Sequence, residues 1–241
     1  MRLVRSFRLP ICLLACFLVF ASFRMAGLST PVLVLAAIFF VAVSIMLQND
    51  WRNRFHDRKK GKDFAFENRK LFLAVLSAFW LISLVFIGVI LLENKSTGLA
   101  FLFIAGIGFL YSEVRKIPLA STTLVAFSFS FPLLLPFVVK EGISIPWLIF
   151  ISSFFIVFGR EIMKDIDDAH IDRGYKWTFP VSMGKRSSKI IAIIFVLAGV
   201  AIVFIKSADI SSIAQLTISG SIIVCVGLSL FGFGMPPKTA R

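Results

Sequence analysis

"ISIPWLIFISSFFIVFGREIMKDIDDAHID", residues 143–172, changes character halfway along. Up to Gly159 it carries no charge, and from Glu161 to Asp172 it holds five acids. An apolar run of this length crosses the roughly 30 Å hydrocarbon core of a bilayer as a helix. The acids continue that helix past the membrane surface. The question is why a membrane helix ends in concentrated acid.

The rest of the chain repeats the first half of this pattern. Of 241 residues, 58% are hydrophobic, against about 45–50% in a soluble domain. The excess falls in runs at 9–23, 30–48, 71–92, 98–114, 118–139, 143–160, 190–205 and 210–233. This predicts an all-α fold: a polytopic transmembrane bundle of about eight spans, read as one domain over 1–241. The N-terminus is basic and then apolar, and seven further runs follow, so it is read as an uncleaved first span. Cys12, Cys16 and Cys225 lie inside apolar runs and are read as packing residues, since an odd count gives no disulfide framework.

The formal charge of +13 follows topology and does not indicate nucleic acid. With these spans, 22 of the 26 Lys and Arg residues fall on one side of the membrane and four on the other. The positive-inside rule makes the rich side cytoplasmic, with both termini inside. The two long polar segments, 49–70 and 160–189, also lie on that side. They hold nine of the thirteen acids.

These segments share a spacing. Asp50, Asn53 and Asp57 stand at i, i+3 and i+7, and so do Asp165, Asp168 and Asp172. At about 100° per residue, each set occupies one helix face. Two oxygen-rich stripes on one side of the membrane repel each other unless a cation sits between them. Mg²⁺ suits such a place, because it takes few carboxylates, several waters and phosphate oxygens. Arg54, Arg58, Lys59, Lys164 and Arg173 are candidates to neutralise a bound diphosphate, with Arg forking onto phosphate oxygens. A diphosphate held in this way is a good leaving group. If an allylic isoprenoid chain is attached, it lies among the helices, where departing charge is stabilised away from water.

A single acidic stripe suits a solvated helix face paired with its own lysines. Two stripes of matched spacing at one membrane boundary favour a functional site. The 28 Phe residues are read as packing and lipid-facing groups. His56 and His170 lack metal-ligand spacing and are read as solvated loop residues.

At this point the chain resembles the UbiA-type intramembrane prenyltransferases over about residues 30–190. That family's NDxxDxxxD motif matches "NDWRNRFHD", Asn49 to Asp57. Its DxxxD motif, with a following Arg and a later T-L-P and Gly, is similar to "DAHIDRGYKWTFPVSMG", Asp168 to Gly184. Its Tyr and basic pair match Tyr111, Arg115 and Lys116 in "YSEVRKIP". The resemblance implies a nine-helix bundle around a central cavity, covered by a polar cap. It implies Mg²⁺-dependent transfer of a prenyl group from a prenyl diphosphate to an acceptor. Carried onto this chain, Asn49, Asn53, Asp57, Asp168 and Asp172 are metal-facing, with Asp50 and Asp165 supporting. Arg115 and Lys116 hold diphosphate, and Tyr111 sits near the allylic carbon. "GREIMKDIDD", Gly159 to Asp168, is similar to the branch making digeranylgeranylglyceryl phosphate. That similarity implies a geranylgeranyl donor and a geranylgeranylglyceryl phosphate acceptor.

Three features depart from the family pattern. Asn53 stands where the middle Asp is usual, "ENRK" replaces an expected "RP", and eight spans are counted where nine are usual. A helical partner in the ninth position is one reading of the last. Three alternatives stay open: an aromatic-acceptor (quinone-type) prenyltransferase, a non-catalytic membrane scaffold and a transporter. Transporters place ionisable groups at mid-membrane depth, whereas here the acids sit at helix ends.

Overall fold

The computed structural model describes residues 6–58, 63–111, 113–114, 117, 119–140, 147–175 and 177–206. Every regular element among them is helical. This follows from the medium, since no water satisfies backbone N–H and C=O groups in a bilayer core and the helix pairs them internally. The elements are α1 (Leu9–Met25), α2 (Val32–Arg58), α3 (Phe64–Glu67), α4 (Arg69–Glu93), α5 (Lys95–Tyr111), α6 (Ala120–Ser130), α7 (Leu135–Val139), α8 (Trp147–Asp172), α9 (Phe179–Met183) and α10 (Lys185–Lys206).

Seven of the expected spans correspond to α1, α2, α4, α5, α6–α7, α8 and α10. The eighth, 210–233, lies outside the described residues. The α6–α7 span is interrupted by a 3₁₀ turn at Phe131–Leu134. Pro132 and Pro136 cannot donate a backbone hydrogen bond, so the regular ladder breaks there.

The two helices that matter most, α2 and α8, outrun their apolar segments. At 27 and 26 residues each is about 40 Å long, roughly 10 Å more than the hydrocarbon core needs. The surplus on each helix carries an acidic stripe. At the end of α8, Gly174 adopts φ 81°, a conformation that a Cβ disfavours. The chain turns back there, and the Tyr175 N–H donates to the Asp172 carbonyl at 2.9 Å.

Apolar packing holds the bundle in three groups. Val19, Phe23, Ala37, Val41, Phe101 and Leu135 join α1, α2, α5 and α7. Cys12, Val43, Leu47, Phe72 and Leu76 join α1, α2 and α4. Ala126, Val157, Phe158, Ile162 and Ala192 join α6, α8 and α10. Polar ties reinforce the α2–α4 contact: Ser44 Oγ meets Ser83 Oγ at 3.1 Å, and Trp80 Nε1 donates to Gln48 Oε1 at 3.1 Å. The outward face of α4 exposes Leu81, Leu84, Val85 and Leu92. Such a continuous apolar surface belongs in lipid, and the protein is an integral membrane protein.

The α8–α10 pair approaches closely through glycine, as small residues permit in membranes. A Cβ on Gly159 would lie 2.6 Å from the Ala192 carbonyl oxygen, and one on Gly199 would lie 2.7 Å from Ile156 Cγ1. The Ser152 hydroxyl donates to the Gly199 carbonyl at 2.6 Å. Gly159→Leu or Gly199→Leu is therefore expected to cost about 1–3 kcal/mol by overpacking. The readout is a lower midpoint of thermal unfolding in detergent, with Gly106→Leu, which meets nothing nearby, as the control.

Candidate active site

The two stripes meet. His56 Nε2, near the end of α2, donates to Asp172 Oδ1, at the end of α8, over 2.7 Å. Both side chains are almost wholly enclosed, at 3% and 0% exposure. Tyr175 stacks on the His56 ring with centroids 4.1 Å apart and planes at 11°. Its hydroxyl donates to Asn53 Oδ1 at 3.5 Å, while Asn53 Nδ2 donates to Asn49 Oδ1 at 2.8 Å. His56 is thus no solvated loop residue: α2 continues as helix to Arg58 and turns the imidazole inward. His170 is exposed, as expected, but it stands in the last turn of α8 and not in a loop.

The acids of the stripes are not free surface groups. Asp50, Asn53, Asp57, Asp165 and Asp172 are buried, and Asn49 and Asp168 are half-buried. Asp50 accepts from Arg8 Nη2 at 2.7 Å, so the side chain expected to support a metal is held by the residue that opens α1. Burial alone would lower the pKa of the Arg8 guanidinium, but Asp50, then Tyr111 and Asp57, more than offset this and raise it.

Beneath the stripes lies a cavity of about 470 Å³, within the usual range for small-molecule sites. Its walls are apolar: Ile11 and Leu14 from α1, Ile38 and Val41 from α2, Ile104 from α5, Phe129 from α6, Val157 from α8, and Val196 from α10. Its polar lining is Arg8, Tyr111, Ser128, Arg160, Glu161 and Lys164. The stripes begin one helical turn beyond this lining. On α2, Ile45 and Met46 line the cavity and Asn49 and Asp50 follow. On α8, Glu161 and Lys164 line it and Asp165 and Asp168 follow.

Glu161 is buried between Arg160 and Lys164, with Lys164 Nζ 2.9 Å away. Burial favours its neutral form, yet Lys164 and Arg160 outweigh that and hold its pKa down to about 2. Glu161 is therefore an anion at neutral pH, set among cations at the mouth of an apolar chamber.

The candidate cations divide. Lys164 lines the cavity. Arg54 lies over Trp51 and Phe55, at 4.0 and 4.6 Å from the ring centroids, and donates to the Trp51 carbonyl. Its pKa is lowered by burial, then by Arg69 and Arg52. Arg58 lies over Phe66 at 4.6 Å, and Arg173 is exposed. Lys59, Arg115 and Lys116 lie outside the described residues. Arg52 Nε meets Glu113 Oε1 at 2.6 Å, tying the segment after Tyr111 to the cap.

Sequence reasoning missed Arg8, His56, Glu161 and Tyr175. His56 carried a signal, since it stands at i+3 from Asn53 on the same helix face. Arg8 carried none, because its partner is 42 residues away.

For a divalent ion the donor chemistry fits. The stripes offer hard carboxylate and amide oxygens. Among the described residues, no three acidic, His or Cys groups form a ready-made cage. Mg²⁺ uses one or two carboxylates completed by water and phosphate oxygens, which suits acids spread over two helix ends.

The protein is an all-helical membrane bundle with an apolar chamber under a two-stripe cap. The sequence profile of the UbiA prenyltransferase family matches residues 9–237, and the chain belongs to that family. Solved structures share the fold. A UbiA homologue from Aeropyrum pernix K1, in apo form, superposes with a TM-score of 0.76 at 15% identity, over 92% of this chain and 88% of that one. A UbiA homologue from Archaeoglobus fulgidus bound to GPP and Mg²⁺ gives 0.68 at 19%, over 100% and 92%. The same homologue bound to DMAPP and Mg²⁺ gives 0.69 at 18%, over 100% and 90%. No curated protein sequence matches the chain.

The Arg8–Asp50 bond leads to a direct test. Arg8→Ala and Asp50→Asn should each lower thermal stability. The double variant should lose less than the sum, with a coupling of about 1.5–3 kcal/mol, as for hydrogen bonds to charged groups. A double-mutant cycle in detergent reads it, and additive losses would refute the bond.

Proposed function

We propose that this protein transfers a prenyl group, geranylgeranyl in our reading, from its diphosphate to a lipid-precursor acceptor with Mg²⁺. The observation that carries the reading is the convergence of the two stripes, through His56 and Asp172, one turn above an apolar cavity. An amphiphile fits that arrangement, with its chain among Ile38, Val41, Ile104 and Val196 and its charged head at the cap. The relatives bound to GPP or DMAPP with Mg²⁺ support the same donor chemistry.

Asp57, Asp168 and Asp172 are the acids we assign to the ion, with Asn49 and Asn53 offering neutral oxygens and Asp50 and Asp165 in support. Bound Mg²⁺ would neutralise the diphosphate and stabilise it as a leaving group. The chain's own residues do the rest. The allylic C–O bond breaks with its electron pair on diphosphate, the acceptor oxygen forms the new bond to the allylic carbon, and its proton passes to the departing diphosphate, while the apolar walls keep water from competing for the cation. Tyr111 lines the chamber, and we read its aromatic face as stabilising that cation.

Three cations, Arg8, Arg160 and Lys164, border the same mouth. They favour an acceptor that carries an anion, as geranylgeranylglyceryl phosphate does. The "GREIMKDIDD" segment supports the same branch. The cap and both termini are read as cytoplasmic from the distribution of cations.

The test supplies membranes containing the protein with labelled geranylgeranyl diphosphate and a panel of glyceryl phosphate and aromatic acceptors. A labelled ether lipid is expected. Its formation should stop with EDTA, and Asp168→Ala should reduce it at least about a hundredfold. Turnover only with aromatic acceptors would move the protein to the quinone-type branch. Absence of turnover with every donor would favour the scaffold.

A further inference from the structure

We propose that Arg160 and Lys164, with Arg8 of α1, form a second anion site of this chamber, one that takes the phosphate monoester head of a lipid without a metal ion. Glu161 is the resident counter-ion of that site. The inference rests on the prenyl-diphosphate reading above and deepens it, since it gives the acceptor a head site distinct from the stripes.

Unused donors come first. An Arg guanidinium carries five N–H donors and a Lys ammonium three. Among the described residues, Arg160 spends one of them on Glu161 Oε1, and Lys164 spends one on Glu161 Oε2 at 2.9 Å. Arg8 Nη2 donates to Asp50, and its Nη1 approaches Met46 Sδ at 3.8 Å. All three cations line the chamber. Charged donors left over at the edge of an apolar cavity are the groups that recognise phosphate.

The layering comes second. The side chains of Arg160 and Lys164 are 39% and 51% exposed, and that of Glu161 is 9% exposed. The carboxylate therefore lies beneath two cations that reach outward. In the empty chamber it offsets their mutual repulsion, and Arg8 adds to the positive field around it. A ligand anion meets the cations from the open side and competes with Glu161 for them.

Sign and position come third. Cations repel Mg²⁺, so the anion that binds here arrives bare, whereas the stripes suit a metal-bound diphosphate. Lys164 and Asp168 are four residues apart on α8, about 6 Å along its axis. The two heads then lie side by side at one mouth. A phosphate monoester, a dianion with three acceptor oxygens, can take donors from both α8 and α1.

The experiment uses the full chain in detergent at about pH 8, where the monoester is a dianion, with EDTA present. It follows thermal stability against dodecyl phosphate, dodecanol and inorganic phosphate. Dodecyl phosphate should stabilise wild type at a concentration at least about tenfold lower than either of the others, as one charge-assisted hydrogen bond implies. Arg160→Gln and Lys164→Gln should each raise its midpoint about tenfold and leave the response to dodecanol unchanged. Glu161→Gln, which removes the resident charge at nearly constant volume, should lower the midpoint. Equal potency of dodecyl phosphate and dodecanol overturns the site, as does a response seen only when Mg²⁺ replaces EDTA. Equal potency of inorganic phosphate overturns the lipid head as its ligand. A raised midpoint in Glu161→Gln overturns the counter-ion role, and if that variant does not fold, the Arg160 and Lys164 variants decide. A separate arm adds Mg²⁺ with inorganic diphosphate and no amphiphile. Stabilisation there without any response to dodecyl phosphate sinks this site alone. No stabilisation there sinks the prenyl-diphosphate reading, and the phosphate site is then judged on the amphiphile arm.

Discussion

Two helix ends that each carry buried carboxylates approach one another only if donors stand between them. In this protein the imidazole of His56 supplies the donor for Asp172, and Arg8 supplies the one for Asp50. Without them the ends of α2 and α8 would repel, and the chamber below would lose its roof. The rest of the architecture serves this junction. The length of α2 and α8 lifts the stripes clear of the apolar zone, and Gly174 turns the chain so that Tyr175 packs over the imidazole.

The chamber shows how a membrane protein keeps charge at a useful depth. Its walls are mostly apolar, and its polar lining is confined to Arg8, Tyr111, Ser128, Arg160, Glu161 and Lys164. Glu161 illustrates the rule that a buried charge needs partners: it is buried, yet Arg160 and Lys164 keep it ionised. The same grouping places several cations where a phosphorylated amphiphile would present its head. Recognition and solvation are thus handled by the same side chains.

The chain also illustrates how a motif can drift without losing its place in the fold. Asn53 departs from the acid usual at its position, and the structure shows it hydrogen-bonded on both sides. It donates to Asn49 and accepts from Tyr175, roles that a carboxylate cannot combine. The cations next to it are likewise used locally. Arg54 and Arg58 lie on aromatic faces, where their charge is stabilised by ring quadrupoles.

Much of the fold was legible in the sequence because the bilayer imposes a length and a polarity on every crossing segment. Runs of about 20 apolar residues can only be helices there, and the 3.6-residue period shows which acids share a face. The family, too, could be read from motif order alone. The sequence could not show that His56 faces inward, that Arg8 reaches Asp50 from 42 residues away, or that Glu161 is buried between cations at the chamber mouth. Those are decided by which helix packs beside which, a choice made by side-chain shape and by glycine contacts such as Gly159 against Ala192. Local periodicity is blind to them because they join residues distant along the chain.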